Sequence, residues 1–208
     1  MTGVIDYGLD LQTAAAAEPL TAAECRSHLN LDETYYDTTL DNLVIAARQT
    51  VESVTGRQLI TATYDLTLDK FPAGRKVLPL PKGQLQSVSA ITYTDTDGIS
   101  ATWTASDYIV STKRDPGSVT PAYDKVWPSA RSVRDAVQIR FIAGYGDAAS
   151  DVPQAIKQAM LLLVGHWFEN REAVLVHSFK PTVIPIAVDS LLSPYLLGDQ
   201  FTWYGQGN

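Results

Sequence analysis

Hydrophobic and polar positions change their period twice along this chain. Between Asp32 and Thr55, the apolar residues Leu40, Val44, Ala47, Val51 and Val54 recur at helical spacing and predict one amphipathic helix. Asp32, Glu33 and Asp37 crowd its first turns, where negative charge suits the exposed amides of a helix start. Gly56 supplies a left-handed stop. Ahead of it, Leu20-Thr21-Ala22-Ala23-Glu24 reads as a capping box, in which the Thr21 hydroxyl accepts the Glu24 amide and Glu24 reaches back to the Thr21 amide. Leu20 and Cys25 stand at the hydrophobic-staple positions, and a short helix to about His28 follows.

From Ile60 to Asp69 the period becomes two. Ile60, Ala62, Tyr64, Leu66 and Leu68 alternate with Thr61, Thr63, Asp65, Thr67 and Asp69, which predicts a half-buried strand. Further strands are expected at Lys76–Leu80, Ser87–Thr94, Ile99–Thr104 and Tyr108–Ser111, with Asp97-Gly98 as a two-residue hairpin signal. Residues 113–133 are rich in Pro, Gly and Ser and read as an irregular loop. Val137, Ile139 and Phe141 begin a last strand that ends at Gly144-Tyr145-Gly146. The helical period returns with Pro153 at a helix start. Ile156, Met160, Leu163 and Trp167 form one face, flanked by Ala159, Leu162 and His166, so this helix is expected to be the most buried. Glu169-Asn170-Arg171-Glu172 closes it. The tail holds Pro181, Pro185 and Pro194 and a short apolar turn at Val188–Leu192.

The order is helix, helix, five or six strands, helix, tail. It fits an α+β fold in which helices flank a β insertion. The expected organisation is an N-terminal arm at 1–19, the first part of a helical core at 20–59, a β insertion at 60–146, a central helix at 147–172 and a C-terminal arm at 173–208.

With 208 residues, 45% of them apolar, the chain is long enough to bury a core without a metal or disulfide staple. Its one cysteine allows no intrachain disulfide. The longest apolar run, Ala159 to Val164, is far shorter than a bilayer span. No basic residue precedes Arg26, and no signal-peptide pattern is visible, so the expected setting is a reducing cytosol without membrane contact. The net charge of −7 is unevenly placed: residues 1–52 hold nine acids and two bases, while residues 53–150 hold eleven bases and nine acids. That is not the basic stripe of a nucleic-acid binder. It argues against gripping DNA, though not against lying beside it.

Little in the sequence carries catalytic chemistry. It contains no GxxxxGK[ST], no GxGxxG and no GxSxG. Cys25 sits in the first turn of a helix, which favours a thiolate, but its staple position reads as packing. His28, His166 and His177 show no metal-ligand spacing with another His or Cys. His166 and Glu169 reverse the Glu-x-x-His order of di-iron bundles and occur once. Asp65 and Asp69 share the polar face of a strand and read as solvent contacts. Asp95 and Asp97 belong to a turn. Lys113, Arg114, Arg131 and Arg134 make a mild basic cluster around the loop, fitted either to solvent or to the acidic quarter of a neighbouring copy. A small hydrolase-like enzyme with unrecognised residues, or a generic binding module, remains the alternative reading. The aromatic end is different. Phe201, Trp203 and Tyr204 lie in the last eight residues, past any core, and free segments are usually aromatic-poor. With Tyr195 and Leu196 they form a candidate partner interface.

Three stretches in order then give a resemblance. The first is Ala47-Arg48 through Val51-Glu52, Thr55-Gly56-Arg57-Gln58-Leu59, Thr63-Tyr64 and Leu68-Asp69-Lys70-Phe71-Pro72. The second is Leu78-Pro79-Leu80-Pro81, Val88 and Ile91-Thr92-Tyr93 before Asp97-Gly98. The third is Val137-Gln138-Ile139-Arg140-Phe141, Ala143-Gly144-Tyr145-Gly146, Val152-Pro153, Ile156-Lys157-Gln158-Ala159 and Trp167-Phe168-Glu169-Asn170-Arg171-Glu172. Over roughly residues 20–195 the chain resembles the head–tail connector (adaptor, or head-completion) proteins of tailed bacteriophages. The resemblance implies a small helical bundle with a β insertion between the second and third long helices, plus extended N- and C-terminal arms. It implies a structural virion protein at the neck, assembled in the host cytoplasm as a dodecameric ring. Such a ring docks under the portal protein, meets a stopper or tail-terminator protein below, and lets DNA pass without specific binding. It implies no catalysis, no cofactor and no metal, and a C-terminal arm that engages the portal. A DNA channel benefits from neutral or negative walls, so Asp32, Glu33, Asp37 and Asp41 are candidates for the lumen or a rim.

Overall fold

The structure is a computed structural model that describes residues 7–74, 77–170 and 186–197. Among the described residues it is mixed α/β, with four α-helices and two antiparallel sheets. The chain divides into two compact units. The helical unit comprises Ala16–Ile60 and Tyr145–Leu196; the β unit comprises Thr61–Gly144 and the strand-bearing N-terminal residues before Ala16.

In the helical unit, α1 (Ala22–Leu29) opens with the expected capping box. The Glu24 amide donates to the Thr21 hydroxyl at 3.2 Å, and the Thr21 amide donates to Glu24 Oε2 at 2.8 Å. Asn30 closes the helix in the left-handed conformation. α2 (Asp37–Thr55) starts later than the expected Asp32. Glu33 is extended, a 3₁₀ turn at Thr34–Tyr36 intervenes, and Asp32 and Glu33 therefore precede the helix. Leu40, Val44, Ala47 and Val51 are buried as the period requires, and Gly56 ends the helix with positive φ. Glu52 is also buried, because its carboxylate is used twice: Oε1 accepts the Leu59 amide and Oε2 accepts Arg48, whose guanidinium also reaches Glu18. α3 (Gln154–Glu169) packs against α1, α2 and α4 (Ile186–Leu192). Its Ile156, Ala159, Met160, Leu163 and Val164 are buried with Leu20, Cys25, Val188 and Leu192. Trp167 is only half-buried and His166 is exposed, so the last turns of α3 are less enclosed than the apolar pattern suggests.

The β unit holds eight strands: β1 (Tyr7–Thr13), β2 (Ala62–Leu68), β3 (Leu78–Pro79), β4 (Leu85–Thr94), β5 (Ser100–Thr102), β6 (Tyr108–Ser111), β7 (Ser118–Pro121) and β8 (Val137–Ala143). The larger sheet has the order β1-β2-β8-β4-β5 and the smaller β3-β7-β6. Register places Leu66 opposite Ile139 and Tyr64 opposite Phe141, so one face of the large sheet is a continuous apolar layer. Phe141 and Ile139 have no exposed surface, and the Tyr64 and Phe141 rings stack. Phe71, Trp103 and Trp127 extend this core as an aromatic cluster.

Two strands lie where none was expected. β1 falls inside the segment read as an arm; Gly8 lets it approach β2, since a Cβ there would sit 2.4 Å from the Thr67 hydroxyl. β7 falls inside the stretch read as an irregular loop, and it pairs with both β3 and β6. The β4–β5 connection is also wider than a two-residue turn. The Asp95 carboxylate takes the amides of both Asp97 and Ile99, which draws five residues into the loop with Gly98 at positive φ.

Candidate partner interfaces

The groups that suggested chemistry are occupied structurally. Cys25 is fully buried, and burial, followed by the charges of Glu24 and Asp41, pushes its thiol up to about 11. The helix start does not yield a thiolate, because desolvation outweighs it. His166 stands beside Asn170 at the exposed end of α3. Among the described residues no cluster of three His, Cys, Asp or Glu side chains is placed to hold a metal ion, and no helix is long and apolar enough to cross a membrane.

Asp65 is not the solvent contact that its alternation predicts. It is 1% exposed, and its carboxylate accepts both Nε and Nη2 of Arg140 at 2.7 Å and Nε2 of the Gln138 side chain at 2.9 Å. The hydrogen bonds and charge of Asp65 hold the Arg140 guanidinium above its ordinary value. Asp69 accepts the Asp135 amide. Both carboxylates therefore organise the β unit: Asp65 stands opposite Asp10 of β1 in the register but is held by Arg140 and Gln138.

Of the four candidate lumen acids, Asp32, Glu33 and Asp41 are exposed and form no ion pair among the described residues. Asp37 differs: it is half-buried at the start of α2 and is bound by the Arg26 guanidinium. Three exposed carboxylates thus stand just before α2 or within its first turns. Lys113, Arg114, Arg131 and Arg134 are exposed on the β unit. Tyr195 is half-buried at the end of a 3₁₀ turn, where its carbonyl accepts Arg57 Nε; Leu196 beside it is 49% exposed. Arg57 is itself buried, so this bond anchors the point at which the C-terminal segment leaves the helical unit. Phe201, Trp203 and Tyr204 lie outside the described residues.

One surface escaped the sequence reading. Tyr7, Leu9 and Leu11 alternate with Gly8, Asp10 and Gln12, a period-two signal hidden beside an Ala-rich run. They place an exposed seven-residue strand at the margin of the large sheet.

Comparison with known proteins bears on what these surfaces serve. No curated protein matches the chain. A chain from the virion of a native gene transfer agent (GTA) particle is 25% identical with a TM-score of 0.72, covering 91% of this chain and 97% of that one. A chain from the neck of a native GTA particle computed with C12 symmetry is 25% identical with a TM-score of 0.71, covering 92% and 98%. A chain from the neck of an empty GTA particle computed with C6 symmetry has a TM-score of 0.73 over 92% and 98%; at 24% identity that likeness is one of fold. The family model for head completion proteins matches residues 18–180, from just before the capping box to beyond α3. This chain therefore belongs to the head completion protein family.

Proposed function

We propose that the protein is a subunit of a head–tail adaptor ring that docks under the portal and extends the DNA channel toward the tail. Family membership makes it a structural virion protein of the head–tail junction and not an enzyme. The observation that carries the finer reading is the likeness, over 92% of the chain, to a chain from the neck of a native GTA particle computed with C12 symmetry. In this reading the helical residues 20–59 and 147–172, joined by α4, form a rigid core, 60–146 together with β1 are a β insertion into it, and the chain before β1 and after Leu197 acts as arms. Identical copies meet through heterologous surfaces that close into a dodecamer. The portal lies above, a stopper or tail-terminator protein lies below, and DNA passes through without being held.

Asp32, Glu33 and Asp41 fit the lumen or a rim, because exposed carboxylates repel phosphates. Asp37 is better placed to fix α1 against α2 through Arg26. Phe201, Trp203 and Tyr204, with Tyr195 and Leu196, engage either the portal or a neighbouring subunit. The test is to mix the purified chain with portal rings and examine the product by electron microscopy. A second ring stacked coaxially on the portal supports the proposal; bare portals beside monomeric protein reject it.

A further inference from the structure

We infer that Arg140, on the outer face of the large sheet, receives a carboxylate side chain from the helical unit of a neighbouring copy. This rests on the ring reading above, which supplies the neighbour. Register puts Arg140 in a row across β1, β2, β8 and β4, with Asp65 and then Asp10 on one side and Ala90 on the other. The next row runs Gly8, Thr67, Gln138, Thr92 and Thr102. Side chains of both rows point away from the apolar layer, because strand residues alternate between faces.

The guanidinium is oriented in advance. Its Nε and Nη2 both donate to the buried Asp65 carboxylate, which fixes the plane of the group. That pairing uses the side of the fork. It leaves the end, Nη1 with the outer hydrogen of Nη2, without a partner among the described residues. The Arg140 side chain is 49% exposed, while that of Asp65 is 2%. Toward β4, the short Ala90 leaves the fork uncovered. Ala90, Thr92, Gln138 and Arg140 line a concavity of about 120 Å³, several times the ~30 Å³ that one water takes. A fixed guanidinium end beside such a hollow fits a planar carboxylate held by two parallel N–H···O bonds. Because the group is ordered before binding, little ordering cost remains. Asp10 does not fill this role. It stands beyond Asp65, two strands or about 10 Å from Arg140, roughly a Debye length at physiological salt. A nucleic-acid backbone is the poorer occupant, since a row with two acids and one base repels a line of phosphates.

The charge of the two units names the donor. Residues 16–60 and 145–196 hold twelve acids and six bases, whereas residues 61–144 hold eight acids and ten bases. Within the helical unit Arg26, Arg48 and Lys157 already bind acids of that unit. Besides the three acids assigned to the channel, Asp147, Glu169 and Asp189 are exposed there. A helical unit meeting the sheet face of the next copy is a heterologous contact, the kind that closes into a ring.

The test mixes portal rings with the full chain carrying Ala90→Glu. The new carboxylate stands opposite Arg140, takes the end of the fork and repels an incoming acid. The free variant should keep its Tm, because opposite charges across a strand pair are tolerated. The share of portals bearing a ring, counted by electron microscopy, should fall at least about tenfold. Ala90→Gln, of equal size and uncharged, should assemble clearly better. In rings of Thr92→Lys built from a mixture of isotope-labelled and unlabelled chains, carbodiimide should join the new amine to an acid of residues 16–60 or 145–196 in another copy. This second measurement decides alone if Ala90→Glu does not fold. Ala90→Glu assembling like the parent, Ala90→Gln failing as badly, or links confined to one chain or to the portal overturn the site and leave the ring reading intact. If the parent chain forms no ring on the portal, both readings fall together.

Discussion

Glu24 serves two elements at once. Its Oε2 accepts the amide and hydroxyl of Thr21 at the start of α1, and its Oε1 accepts Lys157 of α3 at 3.0 Å. Partial burial raises its pKa, but the Lys157 hydrogen bond, the two Thr21 bonds and the Lys157 charge outweigh that, so the carboxyl lies below its ordinary 4.5. A carboxyl lowered by folding adds stability that is complete above its unfolded pKa and is lost as pH falls through its folded one. Glu24→Gln should therefore lower Tm near neutral pH, and the gap should shrink toward about pH 3. A gap independent of pH would show that the charge is not its source. Thr21→Ala removes the other half of the box and should cost about 1 kcal/mol in denaturant unfolding. Asp65 makes the opposite kind of prediction. Because it is buried, Arg140→Met strands its carboxylate and should lower Tm, and adding Asp65→Asn should restore part of the loss. No recovery in the double variant would mean that Arg140 acts through packing.

At the scale of elements, α1, α2, β2, β8 and α3 were legible because each carries its own period: a capping box, a helical stripe or strict alternation. Phe141 belongs to this class; it is fully buried and stacked on Tyr64, and Phe141→Ala should cost about 3–5 kcal/mol in the same unfolding assay. β7 was not legible. Ser118–Pro121 offers few apolar side chains and exists through non-local pairing with β3 and β6, which local propensity does not encode. β1 was half legible, for its alternation is present but short and interrupted by Gly8 and Asp10. The late start of α2 has a similar cause: Asp32 and Glu33 suit a helix start by charge, yet Glu33 is extended and the 3₁₀ turn at Thr34–Tyr36 takes the first turn's place. Of the residues proposed for an interface, Asp32, Glu33, Asp41 and Leu196 are exposed and Tyr195 is half-buried. The sequence could not foresee that Arg26 neutralises Asp37, since that pair joins residues eleven apart across a turn.

At the scale of the whole molecule, the charge of −7 becomes a statement about place. It resides in the first quarter of the chain, and three of its carboxylates, Asp32, Glu33 and Asp41, stand exposed just before or within the first turns of α2. Repeated around a ring they would form a negative collar that keeps duplex DNA from adhering. Replacing the three with Lys should leave the fold intact and make assembled rings retain DNA at low salt, with release as salt rises. Rings that bind DNA no better than the parent would remove these residues from the channel wall. The same scale holds the central claim, that this chain is an adaptor built to assemble on a portal. The most direct measurement is electron microscopy of the full chain mixed with portal rings. The account predicts a coaxial ring of this protein beneath each portal. Portals that stay bare at concentrations where the chain is folded and in excess would contradict it.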